Sequence, residues 1–147
     1  MGKTAAIIVA AGSGSRAGDG VPKQFRMLQG KPMLRHSVEA FVQHPAIDAI
    51  IVVVGDGQEA MAREALQNLD IAYVAGGSTR RESVNNGLQS IDETKEISNV
   101  LIHDAARPFL SGKVIDDLLG ALEHHDGAVP ALPVTDSLAR SADGKML

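Results

Sequence analysis

AAIIVAAGSGSRAGDGVPKQF, residues 5–25, joins an apolar run of strand length to a loop holding four glycines, two cations (Arg16 and Lys23) and a proline. Glycines without a Cβ let backbone N–H groups turn inward, which makes an anion-binding concavity. Arg16 and Lys23 add positive charge at its rim, and Pro22 fixes part of the backbone beside Lys23. One cation would suit a monophosphate, whereas two cations plus many amides suit a triphosphate. The competing reading is that the glycines only make turns and the cations are solvated.

Of two other phosphate-binding patterns, one fails outright and the other fits poorly. The full GxxxxGK[ST] pattern does not occur: the Gly-Lys-Thr at residues 2–4 stands before the first apolar run, not in a loop after it. Gly12, Gly14 and Ala17 match the dinucleotide pattern GxGxxG/A literally. That pattern needs a helix starting inside the loop and an acidic residue about 20 positions on, at a strand end. Gly18, Gly20 and Pro22 stand where that helix would run, and a proline in a helix interior costs about 3 kcal/mol. The segment is a long loop that stays a loop.

Outward from this stretch, apolar runs of strand length alternate with segments of helical period. Strands are predicted at Ala5 to Ala10, Ala49 to Val54, Ile71 to Val74, Val100 to His103 and Ala128 to Pro133. Several are continuous β-branched runs, as parallel strands covered on both faces require. The helical stripes are Met33, Leu34, Val38, Phe41 and Val42; Met61, Ala65, Leu66 and Leu69; Val84, Leu88 and Ile91; and Val114, Ile115, Leu118, Leu119 and Leu122. Ser111 is the predicted cap of the last helix, with Gly127 just beyond its end. The fold class is therefore α/β, a Rossmann-like open and mostly parallel sheet with helices on both faces. In such sheets ligands bind outside the carboxyl ends of the strands.

The chain reads as a single domain over 147 residues. Residues 134–147 behave differently: Asp143-Gly144 is a hairpin signal, so this stretch is the expected start of a β-arm. Because little sequence follows that turn, the chain is expected to be a truncated form of a longer protein.

Composition narrows the function. Hydrophobic residues make up 44% and aromatics only 3%, so the core rests on Ala, Val, Ile and Leu. A net charge of -4 supplies no general attraction to nucleic acid, which is not an expected partner. With no cysteine, disulfides and thiolate chemistry are excluded. No apolar run approaches the roughly 20 residues of a membrane span, and the amino terminus does not read as a signal peptide, so the expectation is a cytoplasmic protein without a membrane partner.

Two further stretches carry chemistry. HDAARP, residues 103–108, ends the fourth predicted strand, so Asp104 falls on the same sheet edge as the glycine loop. An Asp beside a phosphate cradle holds Mg2+ well, because that ion takes one or two carboxylates plus phosphate oxygens; it would equally cap the following turn. His103 is expected to be packed or supporting. His36 and His44 are expected on a helix surface, His124 and His125 at a helix end, and no histidine cluster has metal spacing. In AGGSTRRESV, residues 75–84, Gly76-Gly77 permits close backbone approach to a ligand, and Ser78 or Thr79 would cap the helix carrying Ser83. Arg80 and Arg81 lie in that helix's first turn, where the macrodipole disfavours cations. Either an anion lies nearby or both are solvated.

Taken together, AAGSGSR (10–16), PKQF (22–25), AGGSTRRESV (75–84), HDAARP (103–108) and ALPVTDS (131–137) resemble the 2-C-methyl-D-erythritol 4-phosphate cytidylyltransferase family of the nonmevalonate isoprenoid pathway, in the same order over essentially the whole chain. The resemblance implies a nucleotidyltransferase-type fold and transfer of CMP from CTP to a polyol phosphate, with Mg2+ and release of pyrophosphate. By motif position it implies a nucleotide cradle at Ala10, Ala11, Gly12, Ser13 and Gly14 and catalytic cations at Arg16 and Lys23. It places pyrimidine contacts at Gly77, Ser78 and Ser83. It also implies a Mg2+ and substrate carboxylate at Asp104, with Ala105 on the nucleotide and Arg107 and Ser137 on the substrate. Ser78 stands where some members carry an acidic residue, and Ser137 where some carry threonine. The family implies a homodimer through the β-arm, with residues near Ser137 and Arg140 reaching a neighbour's site. Its members continue past this chain's end, some into a fused 2-C-methyl-D-erythritol 2,4-cyclodiphosphate synthase domain. Transfer to another polyol phosphate, such as ribitol 5-phosphate, and a non-catalytic nucleotide-binding module are the alternatives.

Overall fold

In the computed structural model of the chain, the described residues are 2–12, 20–91, 96–135, 141–142 and 145–146. The first strand, β1 (Lys3–Ala10), leads into the glycine segment; after it come one turn of 3-10 helix (Lys23–Phe25) and the short strands β2 (Met27–Leu28) and β3 (Lys31–Pro32). Gln29 and Gly30 link those two strands with positive φ at both positions, the twist that a two-residue hairpin needs. Then follow α1 (Met33–Val42), β4 (Ala49–Val54), α2 (Glu59–Ala65), β5 (Ala72–Ala75), α3 (Arg80–Gln89), β6 (Ile97–Asp104) and α4 (Gly112–Leu122). A last ribbon pairs β7 (Ser141–Ala142) with β8 (Lys145–Met146) on either side of the predicted Asp143-Gly144 turn, which itself lies outside the described residues.

The main sheet has the order β5-β4-β1-β6, with every neighbouring pair parallel. From β1 the chain steps outward to β4 and β5, then returns to the far side of β1 as β6. The crevice above β1 and β6 is thus the topological switch point, where open α/β sheets bind ligands. Register brings the strand ends level: Ala10 pairs with Val54, Val54 with Ala75, and Val9 with Asp104.

The strand period of two divides β1 between two cores. Ala6, Ile8 and Ala10 pack with Leu34, Val38 and Phe41 of α1, Ala62 and Ala65 of α2, and Ile115 and Leu119 of α4. Ile7 points the other way, into a smaller cluster with Ile51 and Val53. There α3 lies close to the sheet: a Cβ on Gly87 would stand 2.8 Å from Ile7 Cγ2 and 3.0 Å from Val53 Cγ2.

Three expectations are corrected. Residues 128–133 form no strand; Pro130 and Pro133 lack the ladder donor, and Val129 and Leu132 are 84% and 90% exposed. On α3 the buried face is Ser83 and Gly87 rather than a Val84–Leu88 stripe, and Leu88 is 40% exposed, because only small residues allow the helix this close to β1 and β4. His44 is buried rather than on a surface, and its Nε2 lies 3.1 Å from Asp116 Oδ1. Ser111 stands at the start of α4 as expected but makes no side-chain cap bond.

Candidate active site

The carboxyl edge of the sheet is built from turns that press against one another. After β1 the backbone passes through Ala10, which is buried, to Ala11 and the exposed Gly12. After β4, Gly55 lies so close that a Cβ there would be 3.1 Å from the Ala11 carbonyl oxygen. After β5, a Cβ on Gly76 would meet Ala11 Cβ at 2.5 Å, so that position admits nothing larger than glycine. The Gly76 N–H donates to the Val54 carbonyl at 2.7 Å.

Gly77 and Ser78 are held by the start of α3. The Gly77 N–H donates to Ser83 Oγ at 3.1 Å, and that hydroxyl donates onward to the Thr79 carbonyl at 3.0 Å. Ser83 is buried, so its hydroxyl works through Gly77, whose own Cβ would collide with Glu82. Glu82 Oε2 accepts from the Ser78 N–H and Ser78 Oγ, both at 2.7 Å, and from the Thr79 N–H at 3.2 Å. In return Thr79 Oγ1 accepts from the Glu82 N–H at 3.1 Å, completing a capping box. The Ser78 hydroxyl and backbone bonds hold the Glu82 carboxyl below its ordinary value.

Across the crevice, Asp104 receives two arginines. Arg80 donates Nε and Nη2 to Oδ1 at 3.1 and 3.0 Å, and Arg107 donates Nε to Oδ2 at 3.1 Å. Burial pushes the Asp104 carboxyl up, but the hydrogen bonds and charges of Arg80 and then Arg107 outweigh it and hold it below the ordinary range. The unfavourable place of Arg80 in the first turn of α3 thus has its anion on the neighbouring strand. Ala105 is 2% exposed; its N–H donates to the Val9 carbonyl at 3.0 Å and its carbonyl accepts from Ser37 Oγ at 2.8 Å. His103 packs edge-on against Phe41 with ring centroids 5.4 Å apart and donates from Nε2 to the Arg107 carbonyl at 2.9 Å.

Mg2+ can be tested against this donor set. Oδ1 has both lone pairs engaged by Arg80, whereas Oδ2 keeps one beside Arg107. No group of three acidic or histidine side chains is placed to hold a metal ion among the described residues. The residues fit an ion taken by one carboxylate, with phosphate oxygens and water completing its shell.

Of the sequence-predicted site residues, Ala10, Ala11, Gly12, Gly77, Ser78, Ser83, Asp104, Ala105 and Arg107 fall on this one edge. Lys23 is exposed on the turn that follows the glycine segment and makes no ion pair among the described residues. Ser13, Gly14, Arg16, Ser137 and Arg140 lie outside the described residues. Sequence reasoning missed the buried amide of Gln24, whose Nε2 donates to Ala10 and Gly12 carbonyls and to Gln58. Its signal was within reach, since a glutamine between a cation and a phenylalanine in PKQF is a polar residue in a turn with a buried neighbour. Gln58 carries no such signal. A cavity of about 390 Å³ lies at the opposite edge of the sheet, among Asp48, Ala49, Asp70 and Ile71, and none of the predicted site residues lines it.

Comparison with known proteins bears on the family and the fold. Residues 4–147 match the family model for 2-C-methyl-D-erythritol 4-phosphate cytidylyltransferase. The chain is 53% identical over 137 residues to the bifunctional enzyme IspD/IspF of Rhizorhabdus wittichii, covering 92% of this chain and 35% of that protein. It is 48% identical over 141 residues to the enzyme of the same name from Caulobacter vibrioides, covering 95% and 36%. The chain therefore spans about a third of the length of these curated relatives. Among solved structures, 4-diphosphocytidyl-2C-methyl-D-erythritol synthase from Anaerococcus prevotii superposes with a TM-score of 0.84 at 29% identity, covering 96% of this chain and 60% of that one. The bifunctional IspDF of Campylobacter jejuni superposes with a TM-score of 0.81 at 27% identity, covering 99% and 37%.

Proposed function

The chain belongs to the 2-C-methyl-D-erythritol 4-phosphate cytidylyltransferase family, and we propose that it carries that family's transfer site: CMP passes from CTP to 2-C-methyl-D-erythritol 4-phosphate, releasing pyrophosphate. The observation that supports this most directly is the meeting of three turns and a doubly paired carboxylate at the switch point of the sheet.

In this reading a phosphate oxygen of the acceptor attacks the α-phosphorus of CTP in line. The bond from that phosphorus to the bridging oxygen of the β-phosphate breaks, and pyrophosphate leaves with the electron pair. No covalent enzyme intermediate is needed, so the work is positioning and charge compensation. Ala10, Ala11 and Gly12, continuing into Ser13 and Gly14, supply the backbone of the cradle. Lys23 and Arg16 offset the charge that gathers as two anions approach. Gly77 and Ser78, fixed by Ser83 and Glu82, form a compact edge for a pyrimidine and leave little room for a purine. Asp104 would hold Mg2+ through Oδ2, and the bound ion supplies neutralisation of the triphosphate. Arg107, with Ser137, would meet the acceptor phosphate. The β7/β8 ribbon, too small to stand alone, would be the start of an arm through which two protomers pair. The cytoplasm, where CTP is held, is the expected setting.

The test is pyrophosphate release by the full-length native protein with Mg2+, methylerythritol 4-phosphate and each nucleoside triphosphate in turn. Release with CTP alone is expected. Lys23→Ala should lower kcat about 100-fold or more, by analogy with loss of one charge-stabilising donor; near-normal turnover would remove Lys23 from the mechanism. Release with ribitol 5-phosphate in place of methylerythritol 4-phosphate would reassign the acceptor, and CTP binding without release would make the chain a nucleotide-binding module.

A further inference from the structure

We propose that Gln24 is a positioning residue for the glycine-rich segment, coupling the cradle to the turn that carries Lys23; this rests on the triphosphate reading above. Gln24 is 5% exposed. Its Nε2 lies 2.7 Å from the Ala10 carbonyl oxygen, 3.0 Å from that of Gly12 and 3.0 Å from Gln58 Oε1. Two of these acceptors are backbone carbonyls, which cannot exchange roles, so the amide atom facing them is the nitrogen.

The position of these bonds matters more than their number. Strand pairing of β1 with β4 ends at Ala10, and the next residues have no ladder to hold them. Gln24 takes over there, gathering the carbonyls on either side of Ala11 onto one side chain. A trans peptide sends its C=O and N–H in opposite directions, so fixing the Ala10 carbonyl also fixes the direction of the Ala11 N–H. Two carbonyl oxygens are thereby turned toward the protein and away from any incoming anion.

The same residue is the middle of the Lys23–Phe25 turn, closed by Phe25 N–H to Pro22 O at 2.9 Å and Arg26 N–H to Lys23 O at 3.2 Å. Phe25 is buried in the main core. Lys23 therefore sits beside a side chain that is bonded to the cradle and a neighbour that is packed in the core. Gln58 completes the arrangement. It precedes α2 yet makes no cap bond there; its oxygen accepts from Gln24 instead. A Cβ on Gly55 would stand 3.0 Å from its Cδ, so glycine leaves the space in which Gln58 lies.

The experiment uses the full-length protein and Gln24→Glu, which keeps the shape but replaces the NH2 donor with an oxygen. Melting temperature is measured first, to establish that the variant folds. Its kcat/KM for CTP should fall at least about tenfold, as expected when reacting groups are misplaced by a fraction of an ångström to an ångström. The loss should appear as a lower kcat and a higher KM for CTP, with the KM for the acceptor unchanged, a split that a general loss of folded protein does not produce. Amide hydrogen exchange at Phe25 and Arg26, whose N–H groups close the turn that carries Lys23, is the second readout and needs no turnover. It should speed up about tenfold as this segment opens locally. Gln58→Leu, which removes one acceptor at a less buried position, should accelerate the same amides and covers the case in which Gln24→Glu does not fold. Wild-type kinetics together with unchanged exchange in either folded variant would overturn the proposal. If the unaltered protein released no pyrophosphate, the transfer reading would fail while exchange still decided the role of Gln24.

Discussion

Asp104 and His103 are adjacent, yet opposite forces set their charge. Burial pushes the His103 ring below its ordinary value, outweighing the Arg107 carbonyl and the Asp104 charge, which both favour the proton. At neutral pH the ring is uncharged and donates from Nε2 to Arg107. A histidine with a depressed folded value takes its proton first in the unfolded chain, so stability is lost as pH falls below about 6.5 and levels off below the folded value. Asp104 also has a depressed folded value; its contribution is present above about pH 3.9 and is lost only as pH falls through the folded one. The two windows are therefore separate. Melting temperature should decline between pH 7 and pH 5.5, and His103→Gln, which keeps an N–H donor but cannot titrate, should flatten that decline. Equal slopes in the two proteins would remove His103 as its source.

At the scale of elements, α3 governs one side of the site through its start and its face. The start is the Thr79–Glu82 capping box, which also fixes Ser78. The face is Ser83 and Gly87, whose small size lets the helix settle on Ile7 and Val53 and bring Thr79 within reach of the Gly77 turn. A longer stripe of leucines would hold the helix further off and draw those contacts apart. Gly87→Leu should lower the unfolding free energy by about 1–3 kcal/mol, the usual cost of overpacking a filled interior, and should do so with little change in the urea m value. Wild-type stability in that variant would mean that α3 does not bear on the sheet at Gly87.

Across the whole molecule, β1 is the axis on which both cores depend. Ala5, Ala6, Ile7 and Ile8 are all fully buried, and β1 is bonded on both sides, whereas β5 is an edge strand. Amides of Ala6 to Ile8 should exchange only through global unfolding, with the urea dependence of the equilibrium transition, while those of the β2/β3 ribbon should exchange through local opening. Early exchange in β1 would show that the two faces unfold separately. Much of this architecture was legible beforehand. The alternation of β-branched runs with helical stripes predicted β1, β4, β5, β6 and the helices α1, α2 and α4, and it located α3 without its buried face, because backbone sterics and burial imprint their periods on neighbouring residues. The glycines after β1 and β5, and Asp104 at the end of β6, marked the edge proposed for binding for the same local reason. Tertiary structure alone decided the rest. Residues 128–133 have the composition of a strand, but their prolines withhold donors and no ladder forms. Arg80 finds Asp104 across 24 residues of sequence, and Gln58 meets Gln24 across 34. Such pairings follow from the parallel register that sets the strand ends level, a distance in space that no local pattern of side chains encodes.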